Sequence, residues 1–169
     1  VDPEPISIVV DAPQELVYDF LLDIANYPSF TDHFLVDWHL TRERSTGLGA
    51  GARFRIAFPL ARFAWADLTF TAAERPRLIV AEGRMGKVNR VPLRVRFELR
   101  PGPEGTTRLT VAVGTEPRIP SDRLGEAVAG PWARRQLRKA VVRVRELLEE
   151  AARQGGLPPT VKRVTVADG

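Results

Sequence analysis

Between residues 36 and 117 the chain alternates apolar and polar side chains in six consecutive segments, and from residue 121 it changes to helical spacing. The segments are 36–44, 52–59, 63–74, 77–84, 90–100 and 107–117. Period-two alternation is the mark of a strand with one face buried. The stretches between them are short and rich in turn formers: GLGAG at 47–51, PLAR at 59–62, ERP at 74–76, GKVN at 86–89 and PGPEG at 101–105. Connections this short join antiparallel neighbours and leave no room for a parallel crossover, so the six segments predict a meander. The helical stretch then runs to about residue 153, where Gly155 and Gly156 stop it, and Ser121 or Asp122 is placed to cap its start. Leu137, Val141, Val144, Leu148 and Ala151 form one apolar stripe along it. A helix of that extent is roughly 45 Å long and crosses a whole small domain. Gly130 and Pro131 inside it predict a kink.

The chain ahead of the meander reads as a strand and two short helices. Ile6, Ile8 and Val10 alternate with polar residues. Asp11 as a cap and Pro13 in the first turn predict a helix start, and Leu16, Val17, Phe20, Leu21 and Ile24 recur at helical spacing. The stretch DIANYPSF at 23–30 breaks this pattern. Pro28 is expected to end the first helix, because the residue before a proline is pushed out of the helical region. Ser29 or Thr31 then caps a second short helix reaching Phe34. At the other terminus, LPPTVKRVTVADG holds a strand-like piece at 161–166, either an added edge strand or an extension. The expected division is a domain over 1–154 and a tail over 155–169.

Composition narrows the setting. A chain of 169 residues buries about 70% of its unfolded surface on folding, so it needs no staples. It has no cysteine, which excludes disulfides and thiolate metal sites and fits a reducing compartment. No apolar run approaches the ~20 residues of a membrane span, and no signal peptide is visible. A cytoplasmic location is the expectation. The first residue is Val1, so removal of a leader stays open.

Two stretches carry a family resemblance. The opening ISIVVDAPQELVYDFLLDIANYPSF, with its strand, proline-started helix and D-x-x-x-Y-P-x-F bend, and the closing helix WARRQLRKAVVRVRELLEEA resemble the START-like helix-grip superfamily (SRPBCC) over residues 5–153. That group includes START-type lipid-transfer domains, birch-pollen-allergen-like proteins and polyketide cyclase/dehydrase-like proteins. The resemblance implies an α+β helix-grip fold of order β-α-α-β6-α, a curved antiparallel sheet wrapped around a long C-terminal helix with an apolar cavity between them. It implies less about function, since the superfamily holds carriers, cyclases, hydrolases, coenzyme-Q-binding proteins and regulators.

On that frame, alternation assigns the inner face. It collects Val36, Trp38 and Leu40; Phe54, Ile56 and Phe58; Ala64, Ala66, Leu68 and Phe70; Val91, Leu93, Val95, Phe97 and Leu99; and Leu109, Val111 and Val113. The candidate ligand-lining residues are Tyr27, Phe30, Phe34, Trp38, Phe54, Phe58, Leu68, Phe70, Val95, Phe97, Val111 and Val113, with Leu124 and Val128 from the helix. A cavity lined this way selects lipids, isoprenoids, aromatic polyketides or steroids over sugars and nucleotides. The alternative is a filled core, and small residues such as Ala64, Ala66, Ala127 and Gly130 favour open volume. Strand 77–84 is ambiguous, because both its faces begin apolar. If its even positions point inward, Glu82 and Arg84 enter the cavity; otherwise they sit at a solvated strand end.

Catalytic chemistry is sparse. His33, Tyr18, Glu82 and Arg135 are the candidates for acid-base work, provided they converge inside the cavity. Two histidines, His33 and His39, on different elements make no metal set. No GxSxG elbow is present. GLGAG joins two strands and opens no helix, so it lacks what makes a phosphate loop work. Nothing calls for a cofactor. The net charge is +4, and the local basic excess lies in Arg53, Arg55, Arg90, Arg94 and Arg96 on the expected outer sheet face and in Arg134, Arg135, Arg138, Lys139, Arg143 and Arg145 on the helix. Glu146, Glu149 and Glu150 are spaced to pair with Arg143 or Arg145. These charges read either as a solvated surface or as weak affinity for anionic membrane. Nucleic acid is not expected, since the aromatics that stack on bases point inward. The sequence leaves the oligomeric state open. The favoured reading is a binder or carrier of a hydrophobic small molecule. The alternatives are a polyketide cyclase, aromatase or dehydratase, and a regulatory interaction module.

Overall fold

In a computed structural model, which describes residues 4–61, 64–155 and 165–166, β1 (Ile6–Val10) leads into α1 (Gln14–Leu21), a 3-10 turn (Ile24–Asn26) and α2 (Pro28–Thr31). The meander follows as β2 (Leu35–Leu40), β3 (Gly51–Ile56), β4 (Trp65–Glu74), β5 (Leu78–Met85), β6 (Val91–Pro101) and β7 (Thr107–Thr115). α3 (Pro120–Arg153) covers it, and β8 (Thr165–Val166) pairs parallel to the β2 edge. The sheet order is β1-β7-β6-β5-β4-β3-β2-β8, antiparallel throughout except for that last pair. This is the helix-grip architecture. Of the expected tail strand over 161–166, Thr165 and Val166 form β8, and 161–164 lie outside the described residues.

Several local expectations are corrected. α1 ends at Leu21 rather than at Pro28. Asp23 stops it by accepting a hydrogen bond from the Ala25 amide at 3.0 Å, which opens the 3-10 turn instead. Pro28 starts α2 rather than ending α1, since its fixed φ suits a first helical position as well as a break. α2 stops at Thr31, short of Phe34. The cap positions of α1 and α3 are Pro13 and Ile119, with no side-chain cap from Asp11, Ser121 or Asp122. On β2, Asp37 takes φ 54° at a bulge between Val36 and His39. A bulge adds one residue to a strand and slips its phase. Leu35, not Val36, therefore shares the inner face with Trp38.

α3 is held unevenly. Ala140, Val141, Val144, Leu148 and Ala151 are its buried residues, all in the C-terminal half. That half packs on β1, α1 and α2. The half before residue 136 has no buried residue, and the cavity described next lies beneath it and beneath the adjoining turns as far as Val144.

The turns β3–β4, β5–β6 and the β7–α3 junction all fall at one end of the sheet, as the pairings Leu35 with Ile56, Met85 with Val91 and Leu93 with Thr115 require. We call this the mouth end.

Candidate ligand-binding cavity

Between the inner sheet face and α3 lies a cavity of about 1460 Å³. Leu21, Tyr27, Phe30 and Phe34 line it from the short helices and the chain leaving them. Trp38, Phe54 and Leu68 line it from β2, β3 and β4, and Val95, Phe97, Val111 and Val113 from β6 and β7. Trp132, Leu137, Ala140, Val141 and Val144 close it from α3. The bend DIANYPSF builds one wall. Tyr27 meets Phe30 at 5.1 Å between ring centroids and stands edge-on to Trp38, Phe70 and Phe97 at 6.1–6.2 Å. Trp38 stacks on Phe54 at 4.4 Å.

The polar atoms of the interior are already used. The Tyr27 hydroxyl donates to the Leu21 carbonyl at 2.8 Å, and the Thr31 hydroxyl to the Tyr27 carbonyl at 2.7 Å. Burial pushes the Tyr27 phenol far above its ordinary pKa, and nearby Asp23 adds to the shift. Among the described residues, no buried side-chain nitrogen or oxygen lacks a partner. The depth of the cavity thus offers a guest apolar contact and no unmet hydrogen bond.

Polar groups gather at the mouth. Thr115, Glu116, Ser121, Asp122, Arg123 and Glu126 line it, together with Glu4 and Arg134. The Arg90 guanidinium grips Asp122 with two hydrogen bonds of 2.7 Å, joining the β5–β6 turn to the first turn of α3. Those hydrogen bonds hold the Asp122 carboxyl below its ordinary pKa, against partial desolvation. The Thr115 hydroxyl donates to Glu126, and Arg134 lies 3.4 Å from Glu4.

Ten of the expected lining residues do line the cavity: Tyr27, Phe30, Phe34, Trp38, Phe54, Leu68, Val95, Phe97, Val111 and Val113. Phe70 is buried behind Tyr27, and Phe58 packs on Trp132 at 5.1 Å without lining. Leu124 and Val128 are corrected outright: they are 68% and 55% exposed and point away from the cavity.

The four acid-base candidates are not brought together. Glu82 lies on the outer face, 3.6 Å from Arg94, and Arg84 is exposed beside it, which resolves the ambiguity of β5 toward inward Ile79, Ala81 and Met85. Arg135 is exposed on the back of α3. Tyr18 is buried under Arg75, whose guanidinium lies 4.8 Å above its ring. Desolvation raises the Tyr18 pKa and Arg75 opposes the rise. His33 sits between α2 and α3, with Nε2 3.1 Å from the Gln136 carbonyl and Nδ1 3.1 Å from an Arg143 nitrogen. A carbonyl only accepts and a guanidinium only donates, so the neutral Nε2–H tautomer satisfies both contacts. Arg143 also pairs with Asp32, and Glu149 accepts from the Asp11 amide at 3.0 Å, so the expected Arg143–Glu pairing within α3 does not form. Nor is Arg90 part of the outer basic face; it belongs to the mouth.

Sequence reasoning missed Trp132, Met85 and the paired polar rim. The α3 stripe itself held the signal for part of this: continued backward from Leu137 it runs through Ala133, Gly130 and Glu126, all of which line the cavity.

The chain belongs to the polyketide cyclase/dehydrase and lipid transport family, whose sequence profile matches residues 6–149. No curated protein sequence matches it significantly. Solved structures share its fold at low identity. A KanY protein superposes with a TM-score of 0.67 at 13% identity, covering 88% of this chain and 97% of that one. A conserved protein of Geobacillus kaustophilus gives 0.62 at 16%, over 87% and 95%. The major latex-like protein 151 of Panax ginseng gives 0.61 at 8%, over 86% and 95%.

Proposed function

We propose that the protein binds and carries a hydrophobic small molecule, a lipid, isoprenoid or polyketide-like compound, in the cavity under α3. The observation that carries this reading is a space of about 1460 Å³ whose depth is walled by apolar side chains, with no buried side-chain polar atom left unpaired among the described residues and the other polar side chains gathered at the mouth. That volume exceeds the ~300–1,000 Å³ of ordinary small-molecule sites. Each 100 Å² of apolar guest surface withdrawn from water contributes roughly 2.5 kcal/mol, which an apolar wall supplies without directional contacts. The polar rim suits a guest with one polar end left at the mouth. Membership of a family described by lipid transport as well as polyketide chemistry agrees with it. The cyclase or dehydratase alternative on His33, Tyr18, Glu82 and Arg135 lacks support, since these residues occupy four separate places.

The test is titration with an environment-sensitive apolar fluorophore, together with native mass spectrometry of the purified protein. One probe per chain, displaced by long-chain fatty acid or isoprenoid alcohol, is the expected result. Absence of saturable probe binding to a folded protein would overturn the reading.

A further inference from the structure

Exposed large apolar side chains usually lie singly over a protein surface. Here five of the eight found among the described residues are Leu60, Val88, Ile119, Leu124 and Val128, all at the mouth end or on the first turns of α3. Leu60 and Val88 are 80% and 81% exposed at the tips of the β3–β4 and β5–β6 turns. None of the five lines the cavity, so none serves the guest directly. Val88 also holds φ 55°, ψ 30°. A β-branched residue in the left-handed region is strained, and an exposed side chain recovers no packing within the protein to offset that strain.

Charge accompanies these tips. Lys87, Arg118 and Arg123 are exposed in the same segments, against Glu116 as their exposed acid. The other three acids of the rim are engaged, Asp122 by Arg90, Glu126 by Thr115 and Glu4 by Arg134. Apolar tips projecting from separate loops, ringed by cations, match the boundary of an anionic bilayer, where side chains enter the acyl region and Lys or Arg meets the head groups. A flat protein partner would need a continuous patch instead. Among the described residues no helix is long and apolar enough to cross a membrane, so such contact is peripheral.

We propose that the mouth end docks on an anionic lipid surface through Leu60, Val88 and Ile119, with Lys87, Arg118 and Arg123 at the head groups. This names the source from which the cavity is loaded and in that respect rests on the carrier reading; the docking itself is measured separately. The basic outer sheet face is not the contact, because Arg55, Arg94 and Arg96 are paired with Asp37, Glu82 and Glu98.

The experiment is flotation of the full chain with vesicles of phosphatidylcholine alone or mixed with phosphatidylglycerol. The expected result is binding to the mixed vesicles that falls with salt, and a loss of about tenfold or more in L60D/V88D and, with a flatter salt dependence, in K87Q/R118Q. Apolar-probe binding without vesicles stays unchanged in both variants. L60N/V88N gives the same readout if the aspartates disturb folding, since asparagine tolerates the left-handed region. Vesicle binding that survives L60D/V88D, or none by the wild type, overturns the proposal. So does a dimer in solution that L60D/V88D dissociates, which would assign the surface to a second copy. A wild type that binds probe but no vesicle fails here and leaves the carrier reading standing; one that docks but takes no probe does the reverse.

Discussion

The Tyr27 hydroxyl bonds to the Leu21 carbonyl and leaves only the ring's faces and edges for the cavity. Tyr27→Phe should cost about 1–2 kcal/mol, because a buried carbonyl loses its donor. Probe affinity should stay within about twofold, since the apolar surface is unchanged; chemical denaturation and probe titration on one sample check both halves. The alkaline limb follows from the same burial. Tyr18 and Tyr27 are the two tyrosines of the chain, and both phenols are raised above their ordinary pKa. A group raised in the folded state contributes stability that is complete below the unfolded pKa and is lost as pH rises beyond it. Tyrosinate absorbance should therefore be missing near pH ~10, where free tyrosine titrates, and should develop together with loss of near-ultraviolet circular dichroism. Absorbance that rises at the ordinary pH in a still-folded protein would contradict the buried placement.

At the scale of elements, α3 shows what the sequence discloses and what it hides. Its stripe from Leu137 to Ala151 fixed the packing face, because period alone sets phase along a helix. Leu124 and Val128 are as hydrophobic as the stripe but lie off its phase. At ~100° per residue, Val128 lies roughly 140° around the helix from Val141, which puts it in solvent. Leu124→Ser with Val128→Ser should therefore leave stability within about 0.5 kcal/mol and probe binding unchanged, while Val141→Ala should cost about 1–3 kcal/mol; thermal melts and probe titration compare them. The strands were legible for a similar reason, since six alternating runs with short turns admit little but a meander. The slip at Asp37 was not, because nothing in the alternation marks a bulge. The facing of Glu82 was hidden too, since both faces of β5 begin apolar and only the inward packing of Ile79, Ala81 and Met85 chooses between them. The rim pairs Arg90–Asp122 and Thr115–Glu126 join segments 32 and 11 residues apart, beyond the reach of local periodicity.

The Arg90–Asp122 pair also acts at element scale, as a latch between the β5–β6 turn and α3. A carboxyl with a depressed pKa keeps its contribution above the ordinary value and loses it as pH falls through the depressed one. Probe release from the wild type should thus stay slow down to the ordinary carboxylate range, ~3.9, and quicken only below it. Asp122→Asn should show the quicker release already at neutral pH, by stopped-flow dilution. Equal release rates for the two proteins would remove the latch.

Taken whole, the molecule holds a hollow where a protein of its size ordinarily packs solid, and an unfilled apolar space forfeits dispersion contacts along its walls. Filling it should therefore improve the fold at the expense of the guest. Val111→Phe and Ala140→Leu both point new carbons into the cavity from opposite walls, β7 and α3. With the space open, each should raise stability by about 0.5–2 kcal/mol, and the pair should weaken probe binding by about tenfold or more. If α3 instead settles onto the sheet in solution, the same substitutions crowd a closed core and destabilise by about 1–3 kcal/mol. The sign of the change in melting temperature thus separates a container from a core. It does so without knowledge of the cargo, because the argument depends only on whether side chains or a guest occupy the volume between the sheet and α3.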